Sequence, residues 1–535
     1  MAGAEGRGLG NWGSRQALEY HERTKHSYVS VRLGSRRLDW ANYPYPFKVY
    51  REAPGLELPR SFPRPEAPAL GLQLTGQGGG SLGLERVAEL LFYSAGITRV
   101  KDYPGMRVYF RAASATGALY ETEIYAASAS LPGLPAGVYH FDPGEFRLDL
   151  LREGEHRWAV AEALADKERA SAPLTFIFSS MAWRNAWKYE ARSYRHWFWD
   201  AGTILANMLC ICAAEGLGAY VMLGFLDDGL NELLGLDGRE EAAIALLTVG
   251  PGQGAPPRGP LGRLRASALP LSRASLRYPL VEEAYESSKL VSREELERWA
   301  RACAQGVREG GPRPGIRAAL SLPRVSPPSP PLWQVILRRG SAREFSRRPI
   351  TLAQLSAILR TMAAPLPCDF LRASRRLAHI YLIANAVLDL APGAYFYDAE
   401  REELCQLRQG EMRELAGYLC LEQALGADAA AVLFLMGDLA EIVEGLGNRG
   451  YRACQLEAGI RAGLAYLAAY SLSLGATGLT FYDDDVRECF LPHAEGRECL
   501  LVVAVGVPAY RSRPGRIYAG AVKHDRRGPV ARALG

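Results

Sequence analysis

The chain has 535 residues, of which 48% are hydrophobic and 23% are charged, and its formal net charge is +5. This length exceeds what one hydrophobic core usually serves, and the composition is that of an ordinary globular chain, which argues against disorder. The small net charge and the lack of a Lys/Arg block give no reason to expect nucleic-acid binding, so small-molecule chemistry is favoured.

The N-terminus and the cysteines bear on cellular location. The first residues, MAGAEGRGLGNWGSRQ, lack the apolar segment of a signal peptide. Nine cysteines, an odd number scattered along the chain, do not form a disulfide framework and favour a reducing compartment. Cys210 and Cys212 lie in an apolar run, where burial is commoner than metal ligation, so no metal site is predicted. These features predict a cytoplasmic protein.

Regular elements follow a Pro-rich and aromatic stretch, 42–68, that is predicted to wrap the surface. The sequence predicts a helix over Leu84–Tyr93, a strand over ALYETEIYAASA (118–129) and a hairpin over GVYHFDPGEFRLDLL (137–151). After another helix come the apolar strand LTFIFSS, a long buried helix and the closing strand AAIALLTVG. Mixed elements in this order predict an α+β fold.

The apolar run from Ala201 to Leu226 has the length of a membrane span. Asn207, Glu215 and four glycines interrupt it, and the matching second-half segment contains Arg461. A helix that is apolar nearly all round and is not in lipid must be buried by protein on several sides. We therefore predict no membrane segment and place this helix at an interdomain core.

The same pattern returns about 256 residues later, which is the most informative feature of the chain. The segment Arg192–Asp228 aligns without a gap on Arg449–Asp485, so that Asp227 and Asp228 match Asp484 and Asp485. GVYHFD matches GAYFYD further upstream, and the TVG that ends at 250 matches the AVG that ends at 506. The chain is therefore predicted to be two tandem domains that form an intrachain pseudo-dimer.

Domain boundaries follow from this duplication and from composition. We predict an N-terminal extension and wrapping segment at 1–80, a first domain at 81–255 and a second domain at 331–515. A Pro-rich linker with a helical middle, 256–330, joins the two domains, and a tail follows at 516–535.

The first chemical motif is RGSAREF, which opens the second copy just before a predicted helix. Arg339 and Arg343, with the hydroxyl of Ser341 between them, supply the forked and short donors that bind a phosphate dianion. In the first copy the matching stretch is YHERTKHSY, where only Lys25 is a suitable cation. Alone, such a cluster is more often helix capping and surface charge.

A second motif, RAASATGALYETEIY, precedes a strand of the first copy. Backbone amides freed by Gly117, together with Ser114, can approach a flat polar ring closely. In the second copy these positions are Phe370 and Ala373, so the polar cradle is lost there.

The third motif is the pair Lys188-Tyr189, whose second-half counterparts are Gly445 and Leu446. A lysine beside a tyrosine can lower the pKa of the phenol and create a proton acceptor. An exposed lysine next to a packing tyrosine is an equally good interpretation of the residue types alone.

Together, RxSxRxF before a helix, R-x-x-S-x-x-G before a strand, and KYxxRxYRxxxxDAG before a long apolar helix resemble the flavin-dependent nitroreductase superfamily. Within it the chain resembles the SagB/ThcOx-type branch, which includes azoline dehydrogenases of ribosomal peptide natural-product pathways. The resemblance covers nearly the whole chain as two nitroreductase-like domains. It implies FMN bound between the domains and a Lys-Tyr pair that serves oxidation of a thiazoline or oxazoline ring.

Carried over residue by residue, the resemblance implies one asymmetric site. The second half would hold the FMN phosphate with Arg339, Ser341 and Arg343, helped by Arg511 or Arg513, and would line the ring with Gly475, Gly478 and Thr480. The first half would contribute Arg111, Ser114 and Gly117 to the cofactor, with Lys188 and Tyr189 as catalytic residues. Two departures from the branch, Ala113 for a usual Pro and Gly340 for a common Arg, make the loop less rigid.

The sister site would pair Lys25 with the Phe370 region and is expected to be empty or vestigial. The expected stoichiometry is therefore one FMN per chain.

The implied reaction is hydride transfer from the substrate to FMN, with Tyr189 accepting the proton and Lys188 stabilising the developing charge. The expected partners are a peptide or small-molecule substrate and a cyclodehydratase complex. Other readings are an NAD(P)H-dependent nitro or quinone reductase, a tailoring oxidase for another peptide or amino acid, and a flavin-free scaffold that presents peptide to a cyclodehydratase.

Overall fold

The fold is given by a computed structural model that describes residues 10–34, 37–254, 256–262, 264, 266–307, 313–324, 327–372, 375–511 and 513–526. It contains two similar seven-stranded sheets with helices packed on them, and a separate two-stranded hairpin. The predicted α+β class and the duplication are confirmed.

The first half contains, in chain order, α1 (Gln16–Arg23), α2 (Tyr28–Leu33), β1 (Gly55–Glu57), α3 (Leu84–Ala95), β2 (Ile97–Tyr103), β3 (Met106–Arg111), β4 (Thr122–Ser128), β5 (Gly137–Asp142), β6 (Arg147–Glu153), α4 (Arg157–Ala163), α5 (Lys167–Ala170), β7 (Leu174–Met181), α6 (Ala182–Tyr189), α7 (Ser193–Ala214), β8 (Ala219–Met222), α8 (Asp227–Leu234) and β9 (Glu241–Val249).

The second half contains α9 (Pro279–Glu286), α10 (Arg293–Gln305), β10 (Ala318–Ser321), α11 (Leu332–Arg338), α12 (Leu352–Met362), β11 (His379–Ala384), β12 (Gly393–Asp398), β13 (Glu403–Gln409), α13 (Arg413–Leu419), α14 (Ala424–Asp428), β14 (Ala431–Gly437), α15 (Leu439–Leu446), α16 (Arg449–Ser471), β15 (Gly475–Leu479), α17 (Asp483–Cys489) and β16 (Glu498–Gly506).

The strand order is the same in both sheets. It is β1-β6-β5-β4-β7-β9-β8 in the first and β10-β13-β12-β11-β14-β16-β15 in the second, with antiparallel pairing throughout. The sequences of the central strands β7 and β9 are nearly continuous apolar runs, because both faces of these strands are buried. Among the described residues between α12 and β11 there is no strand counterpart of the hairpin β2–β3, which is seen in the first half.

The first half's strand 118–129 was predicted too long at its N-terminal end, because β4 begins at Thr122. Residues Thr116–Ala118 form a 3-10 turn instead, in which Gly117 has a φ of 61°. Ala118 and Tyr120 also have positive φ, at 56° and 52°, which no strand residue adopts. The turn packs the loop against the middle of α7, where Asp200 accepts from the Thr116 amide and the Thr203 hydroxyl donates to the Ser114 carbonyl.

The repeat includes elements that lie outside the two predicted domains. The edge strands β1 and β10 occupy the same place in their sheets, although one comes from the N-terminal extension and the other from the linker. The helices α1 and α9 both pack at the junction of the halves, where the ring of Tyr20 lies against Tyr451 and the ring of Tyr285 lies under Arg452. The domain boundaries drawn from the sequence stay a prediction.

The two halves meet along their longest helices, α7 and α16. A Cβ on Gly202 would lie 2.6 Å from the backbone of Gly459, and a Cβ on Gly459 would lie 2.7 Å from the carbonyl oxygen of Phe198. Only glycine allows the helices to cross this closely. The apolar helical run Ala182–Ala214 is long enough to cross a membrane, but 89% of its apolar window is buried inside the protein.

Reciprocal ion pairs lock this junction. The Asp483 carboxylate of the second half accepts from Arg192 at 3.0 Å and from Arg195 at 2.7 Å. The Asp227 carboxylate of the first half accepts from Arg449 and Arg452, both at 2.7 Å. All six side chains are buried.

These contacts correct the sequence alignment. Asp227 has the role of Asp483, whereas the gapless alignment matched it with Asp484. The first half therefore has one extra residue between β8 and Phe225, whose ring packs on Arg449 as the ring of Phe481 packs on Arg192. A run of three aspartates hides this shift in the sequence.

Candidate functional site

A cavity of about 1200 Å³ lies at the junction of the halves. The first half lines it with the β2–β3 hairpin, the loop 114–118, the C-terminal end of α6 and one face of α7. The second half contributes the segment after α11, parts of α16, β15 and β16, and the segment 510–518. This volume is at or above the upper end of the range of about 300 to 1,000 Å³ that is usual for ligand sites.

Eleven of the thirteen predicted site residues line this one cavity. They are Ser114, Gly117, Lys188 and Tyr189 from the first half, and Arg339, Ser341, Arg343, Gly478, Thr480, Arg511 and Arg513 from the second. The structure therefore brings the two sets together, as the pseudo-dimer prediction requires.

Arg111 and Gly475 do not line the cavity. The Arg111 guanidinium is buried beside it, donates to the Pro46 carbonyl at 2.8 Å and lies 5.0 Å from the centre of the Tyr120 ring. Burial lowers the pKa of Arg111 to about 10. Gly475 instead packs against Ala342, where a Cβ would come within 3.2 Å of the alanine side chain. Both residues therefore pack behind the residues that form the cavity wall.

Arg339 has a different role from the one predicted. Its Nε donates to the Ala112 carbonyl at 2.6 Å and one terminal nitrogen donates to the Arg111 carbonyl at 3.0 Å. These bonds fasten the first-half loop to the second half. Arg343, whose side chain is exposed, is therefore a better candidate for binding an anion.

Ser341 and Gly478 are joined through Tyr466 on α16. The Ser341 and Tyr466 hydroxyls are 3.3 Å apart, and the Tyr466 hydroxyl accepts from the Gly478 amide at 2.6 Å. Gly478 is exposed to the cavity although its neighbours Thr477 and Leu479 are buried. The missing side chain leaves a flat backbone surface on β15.

Lys188 does not lower the pKa of Tyr189, so that prediction is wrong. The Lys188 ammonium lies over the face of the Tyr189 ring, 5.1 Å from its centre, and is not among the groups that shift the pKa of the phenol. Burial raises the pKa of Tyr189 well above its usual range, and Asp200 and Glu121 raise it further. The phenol is therefore protonated at neutral pH.

The Tyr189 hydroxyl lies directly over Gly117. A Cβ at Gly117 would be 2.7 Å from that oxygen, so the position requires glycine for space as well as for its φ. The ring packs edge-on against His196, with centroids 4.6 Å apart. The His196 Nδ1 lies 2.8 Å from the Asn185 side-chain oxygen, and burial holds the pKa of His196 well below its usual range.

Sequence reasoning missed Asp200 and His196, which line the cavity from α7. Asp200 accepts from the Thr116 amide, at 2.8 Å, and from the Thr116 hydroxyl, at 2.7 Å. Their signal was visible: both are ionisable residues in a helix that is otherwise apolar nearly all round.

The cavity wall is strongly basic. Its acidic residue is Asp200, and its basic residues are Arg99, Lys101, Lys188, Arg339, Arg343, Arg511, Arg513 and Arg516. Such a wall attracts anionic ligands. Within the described ranges, no group of three or more His, Cys, Asp or Glu side chains is arranged to hold a metal ion.

In the other half, protein covers the strand that corresponds to β15. Strand β8, the counterpart of β15, is covered by the loop 366–370, where Val221 donates to the Pro367 carbonyl at 2.9 Å. The Asp369 carboxylate accepts from the amides of Leu223 and Gly224, both at 2.8 Å. Beside this loop lies a smaller cavity of about 330 Å³, which is lined by Phe370 and Leu446, the counterparts of Ser114 and Tyr189. Ala373 lies outside the described residues.

Lys25 is not part of this sister region, which corrects the predicted pairing with Phe370. Its ammonium lies 2.9 Å from Asp484 and 3.1 Å from Glu498. Lys289, after α9, pairs in the same way with Asp228 at 2.9 Å. Lys25 therefore matches Lys289 and not the RGSAREF segment.

The first-half counterpart of that segment lies near Thr75. The amide of Ala342 donates to the Ala476 carbonyl, and the amide of Ala219, the counterpart of Ala476, donates to the Thr75 carbonyl. If Thr75 is aligned with Ala342 on the basis of this contact, Gly76 corresponds to Arg343, so the first half has no counterpart of this predicted phosphate-binding arginine.

Comparisons with known proteins agree with this architecture. The model of the nitroreductase family matches residues 141–251 and 336–507, which together are more than half of the chain. A protein of Methanocaldococcus jannaschii that is named as a nitroreductase is 32% identical over 173 residues, which cover 29% of this chain and 82% of that protein.

A solved structure shows the same fold over nearly the whole chain. A crystal structure named as a nitroreductase from Anabaena variabilis matches with a TM-score of 0.75 and 27% identity, covering 92% of this chain and 99% of that one. An E. coli microcin synthetase complex, McbBCD with truncated pro-MccB17, matches at 19% identity and a TM-score of 0.28, covering 43% of this chain and 85% of that one. The second likeness is too weak to carry a functional argument.

Two sheets of identical order, a family match in each half and a full-length structural relative all agree with the predicted tandem arrangement. The chain belongs to the nitroreductase family.

Proposed function

We propose that the chain is an FMN-dependent oxidoreductase that oxidises a thiazoline or oxazoline ring of a ribosomal peptide to the aromatic azole. The observation that supports this most strongly is the single cavity in which Arg343, Ser114 and Tyr189, from opposite halves, meet. Oxidoreductase chemistry follows from family membership, whereas FMN and the azoline substrate are the proposal.

The basic wall fits the phosphate of FMN. Arg343, Arg511 and Arg513 are exposed, and none of them forms an ion pair with a carboxylate in the part of the chain that the structure describes. Each charge-assisted bond from such a group contributes about 1.5 to 3 kcal/mol to binding. Uncompensated guanidiniums in one cavity are what a phosphate dianion requires.

The sister region indicates where the flavin ring would lie. There, the Asp369 carboxylate satisfies the amides that follow β8. The matching segment after β15, at Thr480, faces the cavity, so its backbone can donate to ring acceptors of FMN. Ser114, Gly117 and Gly478 would cover the ring because their small side chains allow close approach.

When bound, FMN supplies the capacity to accept a hydride. The chain's residues would hold the azoline against the ring: Tyr189, protonated, donates a hydrogen bond to a ring heteroatom, and the Lys188 ammonium stabilises negative charge nearby. We propose that these two residues contact the substrate directly.

The test is the absorption spectrum of the purified chain, recorded anaerobically before and after addition of an azoline peptide. A yellow protein that bleaches supports the proposal. Bleaching by NADPH and turnover with a quinone, without any azoline reaction, would instead identify a general reductase, and a colourless protein would identify a scaffold. We also propose a cytoplasmic location and a cyclodehydratase partner, which co-purification with the cyclodehydratase would test.

A further inference from the structure

A pair of buried carboxyl groups lies behind the loop that carries Ser114 and Gly117. Glu121, just before β4, is 0% exposed, and Asp200 on α7 is 4% exposed and lines the cavity. Each of the two carboxyl groups influences the pKa of the other. Neither Glu121 oxygen accepts a bond from an N–H or O–H group of the described structure. Of two buried carboxyl groups that repel each other when both are ionised, one is favoured to keep its proton.

No cation compensates the pair. Among the described residues, neither carboxyl forms an ion pair with an arginine or a lysine. The titratable and charged groups nearest to it are Tyr120 in the loop before β4, Tyr189 on α6 and Arg111 at the end of β3, which lines a small pocket together with Asp200. His196, Arg339 and Arg343 lie beyond them, next to Tyr189 or Tyr120. Burial, and then Asp200, raise the pKa of Glu121 well above its usual range, and burial raises the pKa of Asp200 to about 6.

The second half provides an internal comparison. By strand register Glu121 matches Leu377, and Asp200 matches Glu457 on α16. Glu457 accepts from the amides of Leu377 and Ala378, at 2.7 and 3.0 Å, and pairs with Arg461. The half in which β8 is covered thus holds one carboxylate that is neutralised by Arg461, and the half that carries the large cavity keeps two carboxyls with no ion pair among the described residues.

Keeping two uncompensated buried carboxyls lowers stability, and the second half shows that the same fold position can be neutralised. Retaining the pair therefore points to a role in the cavity. Asp200, which lines the cavity, can reach the ligand, and its pKa of about 6 lies near neutral pH, as a group that accepts and releases protons requires.

We propose that the Asp200–Glu121 pair accepts the proton that the substrate loses in the reaction. This rests on the proposed function. One ring C–H bond of the azoline breaks with its electron pair passing to the flavin as hydride. The second hydrogen leaves as a proton to the Asp200 carboxylate, and its electrons form the new double bond of the azole. The acquired proton returns to water before the next turnover.

The first measurement needs neither substrate nor flavin. The pKa of Glu121 is higher in the folded than in the unfolded protein. Below about pH 4 the group is protonated in both states and does not lower the unfolding free energy, but as the pH rises through the raised folded pKa the unfolding free energy of the wild type falls. Glu121→Gln removes that loss. The melting temperature of the variant relative to the wild type should therefore increase from pH 5 to pH 8. An unchanged difference would show that no proton is held there.

The second measurement is the rate of anaerobic flavin bleaching by an azoline peptide as a function of pH. Asp200→Asn should retain flavin, lower the rate about a hundredfold at pH 8 and abolish the fall of the rate towards acid pH. Asp369→Asn is the matched control, because Asp369 is also a buried carboxyl whose pKa is raised to about 6, yet it lies outside the cavity. It should leave the rate profile unchanged.

The outcomes separate the two proposals. If the wild type bleaches and Asp200→Asn keeps the wild-type rate and profile, the proton-acceptor role is wrong while the proposed function stands. If the wild type does not bleach with the azoline, the substrate assignment and the proton-acceptor role are both overturned.

Discussion

The two halves share a fold and differ in what covers one strand. Over β15 there is a basic cavity, and over the equivalent strand β8 there is the loop 366–370 with Asp369 on the free amides. The sheets, the crossing helices and the reciprocal ion pairs are the same in both halves. The difference teaches that packing constrains a duplicated domain more strongly than ligand binding does, because every half needs its core and the pair needs only one site.

The largest expected effect tests the symmetric part of the comparison. Asp483→Asn leaves Arg192 and Arg195 buried without their counter-charge, and Asp227→Asn does the same to Arg449 and Arg452. Each variant should lose about 3 to 5 kcal/mol of unfolding free energy. Denaturant unfolding of both variants measures this. A loss of unfolding free energy in only one of the two variants would show that the two ion-pair clusters do not contribute equally to stability.

The next effect tests the asymmetric part. Arg343→Ala should weaken FMN binding about ten- to a hundredfold, since one charge-assisted contact to the phosphate is lost. Lys25→Ala is the control, because Lys25 contacts Asp484 and Glu498 outside the cavity. Fluorescence titration of the apoprotein with FMN measures both. Equal weakening in the two variants would contradict the assignment of the phosphate to the second half.

A smaller effect is expected at Tyr189. Tyr189→Phe removes the hydroxyl over Gly117 and keeps the ring that packs on His196. Turnover of an azoline peptide should fall about tenfold, the equivalent of one neutral hydrogen bond of roughly 1 to 1.5 kcal/mol, with flavin content unchanged. Full activity of this variant would remove Tyr189 from the mechanism.

The smallest expected effect is none. Phe370→Ser, which restores the first-half residue at the matching position, should leave the stoichiometry at one FMN per chain, because the loop still covers β8 and Gly76 replaces the clamp arginine. Flavin released by denaturation and measured against protein concentration tests this. A ratio approaching two would show that the sister region is a usable site.

Much of the fold could be read from the sequence because its signals are local. The buried strands β7 and β9, the hairpin of β5 and β6 and the repeat itself are patterns of neighbouring residues. The predicted site residues largely met in one cavity because the two copies had lost different polar groups. Arg111 and Gly475 could not be sorted from the others, because nothing in their immediate sequence tells which side of a cavity wall they occupy.

Other errors came from interactions between segments far apart in the chain. Lys25 was matched with the wrong segment because its partners, Asp484 and Glu498, lie more than four hundred residues away. The effect of Lys188 on Tyr189 was misjudged because the pKa depends on burial and on Asp200, and not on adjacency.

The sequence by itself determined that this protein is a duplicated α+β chain whose copies kept complementary polar groups. Periodicity and repetition are properties of the chain, so they can be read without coordinates. Only the tertiary structure decided that Arg339 holds a loop, that Glu121 and Asp200 share one buried environment and that β8 is covered. Such contacts depend on the distances and the solvent exposure that folding creates between residues distant in sequence.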